Sequence, residues 1–420
     1  MLLPNRGPPR GFLPKGSGIG FIRSVNLSWA VVPVDHVEGL DITLLADGGA
    51  LVMGHNWRVG SKQDFFVERI SSSGESVWRR FETGRFARGI SAGHKFGYFL
   101  SEFSGTFVWE PAKHQAAGMT DVVLGQVSLD GDLQWTRSIS TAGADRATAV
   151  VATPDGGAAV LHSHFQSLKL GEIAIARSGG EDPIVSKWGD AGELEWALGF
   201  GWAGADKGSA IAARDTGELA VVGTRYKTAS AKADSQQKSA RQGWISLLDS
   251  SGAQEWLVTL GKPNGHLDLD EARWTSDGAI AVTGSFIGQA QIGTTQLETK
   301  RPSTFAALVS RGGKVLWARE VPPVACILAA DDNAIAIVSR LGMLVIPQNG
   351  EPRKLHTWNE EAIYQLGGCA SAGGGWIISG IVAPGADLGF GPLPPPTLRR
   401  FTFQNSPAFV MKVRPVFADQ

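Results

Sequence analysis

The sequence predicts an all-β fold: a seven-bladed β-propeller of four-stranded antiparallel blades, its ring closed by an N-terminal strand that completes the last blade. Three observations predict it. First, a tryptophan recurs just after a glycine turn, at Gly74–Trp78, Gly131–Trp135, Gly192–Trp196, Gly252–Trp256 and Gly313–Trp317, and successive tryptophans lie 57, 61, 60 and 61 residues apart. Self-similarity at a fixed period marks a repeat architecture. Second, the composition suits short strands joined by tight turns: of 420 residues 54 are glycine, 43% are hydrophobic and only 19% are charged. Third, the last unit lacks a fourth strand while a spare fourth-strand pattern stands near the N-terminus.

The clearest unit runs from Ala144 to Gly204. Ala147–Ala152 is a short apolar first strand, and the turn Pro154-Asp155-Gly156-Gly157 leads into a second, Ala158–Leu161. A longer excursion through Leu170-Gly171 precedes a third strand, Asp182–Lys187. The turn Asp190-Ala191-Gly192 then opens a fourth strand carrying Trp196. Strands of this length, punctuated by Gly, Asp and Pro turns, make one antiparallel meander. The second strand recurs as Ala50–Gly54, Leu219–Gly223 and Ile280–Gly284, and the third as Asp64–Val67, Asp121–Leu124, Trp244–Leu247 and Phe305–Leu308. The unit at 324–360 is shorter, yet Ala334–Val338 and Met343–Ile346 still read as its middle strands.

The final unit, from Ile363, supplies Trp376–Gly380 and Phe409–Val413 and then ends. Val25–Ala30, with Trp29, matches the fourth-strand pattern of Leu194–Ala197, so the N-terminal strand completes that blade and removes an exposed sheet edge. The domain organisation is thus a basic arm at 1–23, one propeller at 24–417 with an insertion at 227–242, and a tail at 418–420. Trp29, Trp78, Trp135, Trp196, Trp256 and Trp317 are expected to pack between neighbouring blades near the rim, because repetition in every blade argues for packing.

The Gly-(three residues)-Trp string, the Asp-aromatic/Val-Val third strand and the Leu-Gly or Ile-Gly steps at Leu170-Gly171, Ile292-Gly293 and Leu388-Gly389 together resemble bacterial β-propeller repeat proteins (SBBP-like). The resemblance covers about residues 24–417. It implies the propeller fold and a secreted or surface location, and it carries no fixed catalytic residues. The N-terminus lacks the apolar segment of about 7–15 residues that a signal peptide needs, so the chain as encoded reads as cytoplasmic.

Net charge is −1, and no apolar run approaches the ~18 residues of a membrane span, so neither nucleic acid nor a membrane span is expected. No nucleophile elbow, phosphate loop or Cys-x-x-Cys occurs. Cys326 and Cys369 read as buried free thiols in strands. His162 and His164 share one face of a strand at i, i+2 but have no third ligand at metal spacing, and read as histidines at a blade edge. Asp268, Asp270 and Glu271 form the densest carboxylate cluster, read as a loop entering the fifth blade; it is the one candidate for calcium, and otherwise no cofactor is expected. Asp145 and Asp206 stand at one place in consecutive blades, with Asp41 nearby in the first. They read either as turn aspartates accepting backbone N–H bonds or as a partial acidic collar at the channel mouth.

Arg6, Arg10 and Lys15, with prolines at 4, 8, 9 and 14 and no acidic residue, make 1–23 either a disordered leader or a docking arm. The expected function is a non-catalytic scaffold that binds a protein partner. The alternatives are a carbohydrate-binding surface lectin and a hydrolase or lyase with its site at the channel mouth.

Overall fold

The computed structural model describes residues 22–31, 37–56, 64–83, 86–226, 240–322, 324–330, 334–339, 342–348, 351–358, 363–372, 375–382, 387–388, 390 and 408–417. Arg6, Arg10, Lys15, residues 227–239 of the insertion and the 392–396 proline segment lie outside them. So do the side chains of Trp29, Cys326 and Cys369.

The described chain is all β, built on antiparallel four-stranded units; a parallel pairing of Arg241 with His266 joins the fourth and fifth into one eight-stranded sheet, Thr106–Trp109 and Ala112–Gln115 extend the first, and Leu168–Leu170 pairs with Ile173–Ile175 as a separate hairpin. Sheet I holds Val37–Leu44, Ala50–Asn56, Asp64–Ile70 and Ser76–Thr83, and sheet II holds Phe86–Ala92, Phe96–Phe103, Asp121–Ser128 and Leu133–Ile139. Sheet III holds Asp145–Ala152, Ala158–His164, Asp182–Trp188 and Leu194–Gly199. Sheet IV holds Lys207–Ala213, Leu219–Tyr226, Arg241–Leu248 and Gln254–Leu260, and sheet V holds His266–Trp274, Ile280–Ile292, Thr295–Val309 and Val315–Val321. Sheet VI holds Val324–Ala330, Ala334–Ser339, Gly342–Pro347 and Arg353–Thr357. In sheet VII, Ile363–Ala372, Gly375–Val382 and Ala408–Phe417 are followed in space by Ile22–Val31, which pairs antiparallel with Ala408–Phe417.

Burial follows strand order. The second and third strands of sheet III are buried at every residue, whereas its fourth strand, Leu194–Gly199, is only half covered. Strands that are apolar on both faces need a neighbour on each side, and neighbouring sheets supply it. Met53, Phe65 and Val67 of sheet I share a core with Ile90, Phe99 and Val123 of sheet II. Equivalent cores join II to III, III to IV, IV to V and V to VI. A further one sets Ile42, Val52 and Phe66 of sheet I against Ile377 and Val410 of sheet VII. The first strands touch in the same succession, and Ile363–Ala372 touches Val37–Leu44.

Sheets are also stitched by hydrogen bonds. Asp41 Oδ2 and Thr43 Oγ1 of sheet I accept from the N–H groups of Ile90 and Ala92 in sheet II, and Ser91 Oγ accepts from Ala152 N–H in sheet III. Lys412 of sheet VII donates to the Gly48 carbonyl of sheet I at 2.5 Å. Among the described residues no helix is long and apolar enough to cross a membrane.

Two sequence expectations are corrected. Asp268, Asp270 and Glu271 lie within the first strand of sheet V, where Leu267, Leu269 and Ala272 are buried around them. The alternation of apolar and acidic residues there is a strand period, with a register shift between Leu269 and Glu271 that reverses its phase. His162 and His164 are at no edge: they sit on the second strand of sheet III, 1% and 0% exposed. Desolvation drives His162 down to about 3, with His164 adding to the shift, so it stays neutral and shares a 3.2 Å hydrogen bond with Ser186.

Candidate functional site

A cleft of about 330 Å³ opens where sheets III, IV and V meet, lined by Trp202, Arg225, Tyr226, Arg241, Gln242 and Pro263 among others. Its geometry depends on two aspartates. Asp206 precedes the first strand of sheet IV and accepts from Trp202 N–H at 2.8 Å on one oxygen and from Tyr226 N–H at 3.2 Å on the other, tying two walls together. Asp268 holds the third wall: its two oxygens lie 2.7 and 2.6 Å from Arg241 Nε. Trp202 packs on the fully buried Trp244 with ring centroids 5.7 Å apart, and Trp244 stacks on Phe200 at 5.0 Å. Arg225 lies over the Trp202 ring, 5.3 Å from its centroid. Main chains crowd here as well, since a Cβ on Gly204 would sit 2.2 Å from the Tyr226 carbonyl oxygen.

Asp145 plays the Asp206 part in sheet III, accepting from Thr141 N–H at 2.6 Å and from the Thr141 hydroxyl at 3.0 Å. The residue it ties down is a threonine where sheet IV has Trp202. Burial pushes the carboxyls of both Asp145 and Asp206 up to about 6, against the pull of these donors. Asp270 stays exposed, yet the surrounding walls desolvate its carboxyl and push it up, with the Asp268 charge adding to the effect.

A second polar group gathers where the first strands meet. Asp41 in sheet I and Glu271 in sheet V follow the register shift of their strands, at the place of Ala149 and Ala210 in sheets III and IV. Asp41 accepts from Ile90 and Ile42 N–H, both at 2.9 Å, and burial pushes it up to about 6. Burial pushes Glu271 up to about 7; Arg273 pulls it down while Asp41 and Asp270 raise it further. Among the described residues no three His, Cys, Asp or Glu side chains are arranged to hold a metal ion.

The structure therefore brings Asp206, Asp268 and Asp270 to one region and leaves Asp145 one sheet away. Sequence reasoning singled out none of Trp202, Arg225, Tyr226, Arg241 or Gln242 as cleft residues. A signal was present: the insertion expected at 227–242 follows Tyr226, and its last two residues, Arg241 and Gln242, belong instead to the strand Arg241–Leu248, so its two ends flank the cleft.

No protein-family model matches the chain, and no curated protein does. Among solved structures it is similar to the Pan2 WD40 domain of Neurospora crassa, with 10% identity, 95% of this chain and 97% of that chain covered, and a TM-score of 0.50. It is also similar to hydrazine synthase of Kuenenia stuttgartiensis (9% identity, 81% and 92% covered, TM-score 0.47). A third is a subtype N11 neuraminidase-like protein of A/flat-faced bat/Peru/033/2010 (9% identity, 98% and 95% covered, TM-score 0.43). The likeness to the Pan2 WD40 domain shows the fold, an all-β arrangement of propeller type, and nothing of the activity.

Proposed function

We propose that the chain is a closed seven-bladed propeller over residues 24–417 that works as a non-catalytic module binding a protein partner through the Trp202–Arg241 cleft. Closure is supported by the pairing of Ile22–Val31 with Ala408–Phe417, by the core shared between sheets I and VII, and by the unbroken succession of first-strand contacts. The observation that carries the binding reading is the use made of Asp206 and Asp268. Both carboxylates are occupied in positioning walls, and what they present is Trp, Tyr and Arg, the side chains that dominate protein interfaces. Asp145 keeps its place in the proposal as the equivalent support one sheet away, and Asp270 as a rim charge. The arm with Arg6, Arg10 and Lys15 runs in sequence into Ile22–Val31, an outer strand, and serves as a second anchor for the same partner.

The test is affinity capture of partners by the full chain, by Tyr226→Ala and by a chain without residues 1–20, each checked for an unchanged melting temperature. A partner recovered at least tenfold less with Tyr226→Ala supports the cleft, and reduced recovery without the arm supports the second anchor. Equal recovery in all three sinks both. The Asp41–Glu271 pair favours a second reading, a hydrolase or lyase acting where the first strands meet. Turnover of p-nitrophenyl esters, phosphates or glycosides that is lost in Glu271→Gln would replace the binding reading with that one.

A further inference from the structure

We infer that the cleft receives an acidic segment of the partner protein, its carboxylate taken by the Arg225 guanidinium over Trp202. This inference rests on the reading of the cleft as the binding face. It starts from a contrast among arginines. Arg88 pairs with Glu102 at 2.8 Å, Arg146 with Glu181 at 3.3 Å and Arg241 with Asp268 at 2.6 Å. Arg225 is exposed, and among the described residues it makes no ion pair and donates no hydrogen bond. Its guanidinium lies over the indole of Trp202, 5.3 Å from the ring centroid, with the Asp206 charge in its field.

A guanidinium attracted to an indole keeps N–H donors for a carboxylate, which it can take bidentately. Of the neighbouring acids, Asp206 shares its field with Arg225 but spends both carboxylate oxygens on the N–H groups of Trp202 and Tyr226. Asp268 is neutralised by Arg241 and Glu181 by Arg146, while Asp270 has Lys207 in its field. Tyr226, 36% exposed, adds a hydroxyl that burial and the Asp268 charge hold in its protonated, donating form.

A sugar is a poorer fit. Stacking of a pyranose needs an open aromatic face, and Trp202 has Arg225 over one face and leans on Trp244 at 54°. The cleft volume, near the lower end of ligand sites, suits one or two side chains of an extended peptide.

The experiment pans a phage-displayed random peptide library on the full chain. The selected peptide is then measured as a fluorescein conjugate against wild type, Arg225→Gln and Tyr226→Ala. Enrichment of Asp/Glu-bearing peptides is expected, with affinity about ten- to a hundredfold weaker in Arg225→Gln. The same loss should follow when the peptide's acid is changed to its amide, and the two changes together should cost little more than either alone. Peptides lost in Tyr226→Ala but indifferent to Arg225→Gln would overturn the acidic segment and leave the cleft standing. Peptides indifferent to both variants, or no enrichment at all, would overturn the cleft reading with it. Arg225-dependent binding on a sialylated or sulfated glycan array would replace the peptide with a sugar acid.

Discussion

Asp145 is 1% exposed and has three contacts with Thr141, one from the backbone and two from the hydroxyl. Desolvation outweighs them and raises its carboxyl from an ordinary 3.8 to about 6. Between those values the folded chain holds a proton that the unfolded chain has lost. Its contribution to stability is therefore present below about pH 4 and is lost as pH rises through 6. His162, pushed down to about 3, works in the opposite sense: the unfolded chain binds its proton first, so stability rises with pH up to the ordinary histidine range near 6.5. The two slopes partly cancel in the wild type, so the informative quantity is a difference. Asp145→Asn removes the titration while keeping one acceptor for Thr141. Urea unfolding from pH 4 to 6.5 should show wild type losing roughly 2 kcal/mol relative to Asp145→Asn across that range. Parallel stability curves for the two proteins would show that this carboxyl does not titrate above the ordinary range.

The sheets are joined by a repeated pairing of a tryptophan with a turn. Trp78 of sheet I lies against Gly131 of sheet II and donates to the Leu129 carbonyl at 2.8 Å. Trp135 does the same to Gly192 and Asp190, and Trp256 to Gly313 and Arg311. Trp196 packs on Gly252, where φ is +84° and an added Cβ would lie 2.4 Å from the indole. The glycine is needed twice there, for its left-handed backbone and for the absence of a side chain under the ring. Gly171 separates the two causes, because its φ is +56° and nothing stands within 4 Å of its Cβ position. Gly171→Ala should cost about 1 kcal/mol and Gly252→Ala about 2–4 kcal/mol in urea unfolding. Trp196→Ala should recover part of the excess when combined with Gly252→Ala. Equal costs at the two glycines would show that the contact between sheets III and IV does not depend on that turn.

For the molecule as a whole, the proposed closure of the ring assigns the N-terminal strand the task of covering the last sheet's outer edge. An open array with apolar middle strands would leave the core between Ile42, Val52 and Ile377 facing water at both extremities. Ile22–Val31 pairs along the edge of Ala408–Phe417, and Lys412 reaches the Gly48 turn of sheet I. Removing residues 1–31 should lower the melting temperature of the entire chain in a single transition and expose Ala408–Phe417 to intermolecular pairing, read as aggregation in sedimentation velocity. An unchanged, monomeric melt would show that the sheets do not depend on closure.

Much of this was legible in the sequence because a repeat writes its packing rule several times over. Gly131, Gly192, Gly252 and Gly313 each precede a tryptophan by four residues, and each glycine receives the tryptophan of the sheet before it. The strands, their order within a sheet and the Asp145–Asp206 equivalence all follow from local spacing, since turns and pleats are set by residues close in sequence. The cleft could not be read that way. Trp202 and Tyr226 are joined only through Asp206, and Arg241 meets Asp268 only after sheets IV and V have packed. The same holds for Asp41 and Glu271, equivalent positions 230 residues apart in sequence whose charges interact only once the first strands are gathered. Departures from the repeat, a tryptophan in place of a threonine or a glutamate in place of an alanine, are single residues with no local signature. Their chemistry exists only when the repeats around them have fixed what they face.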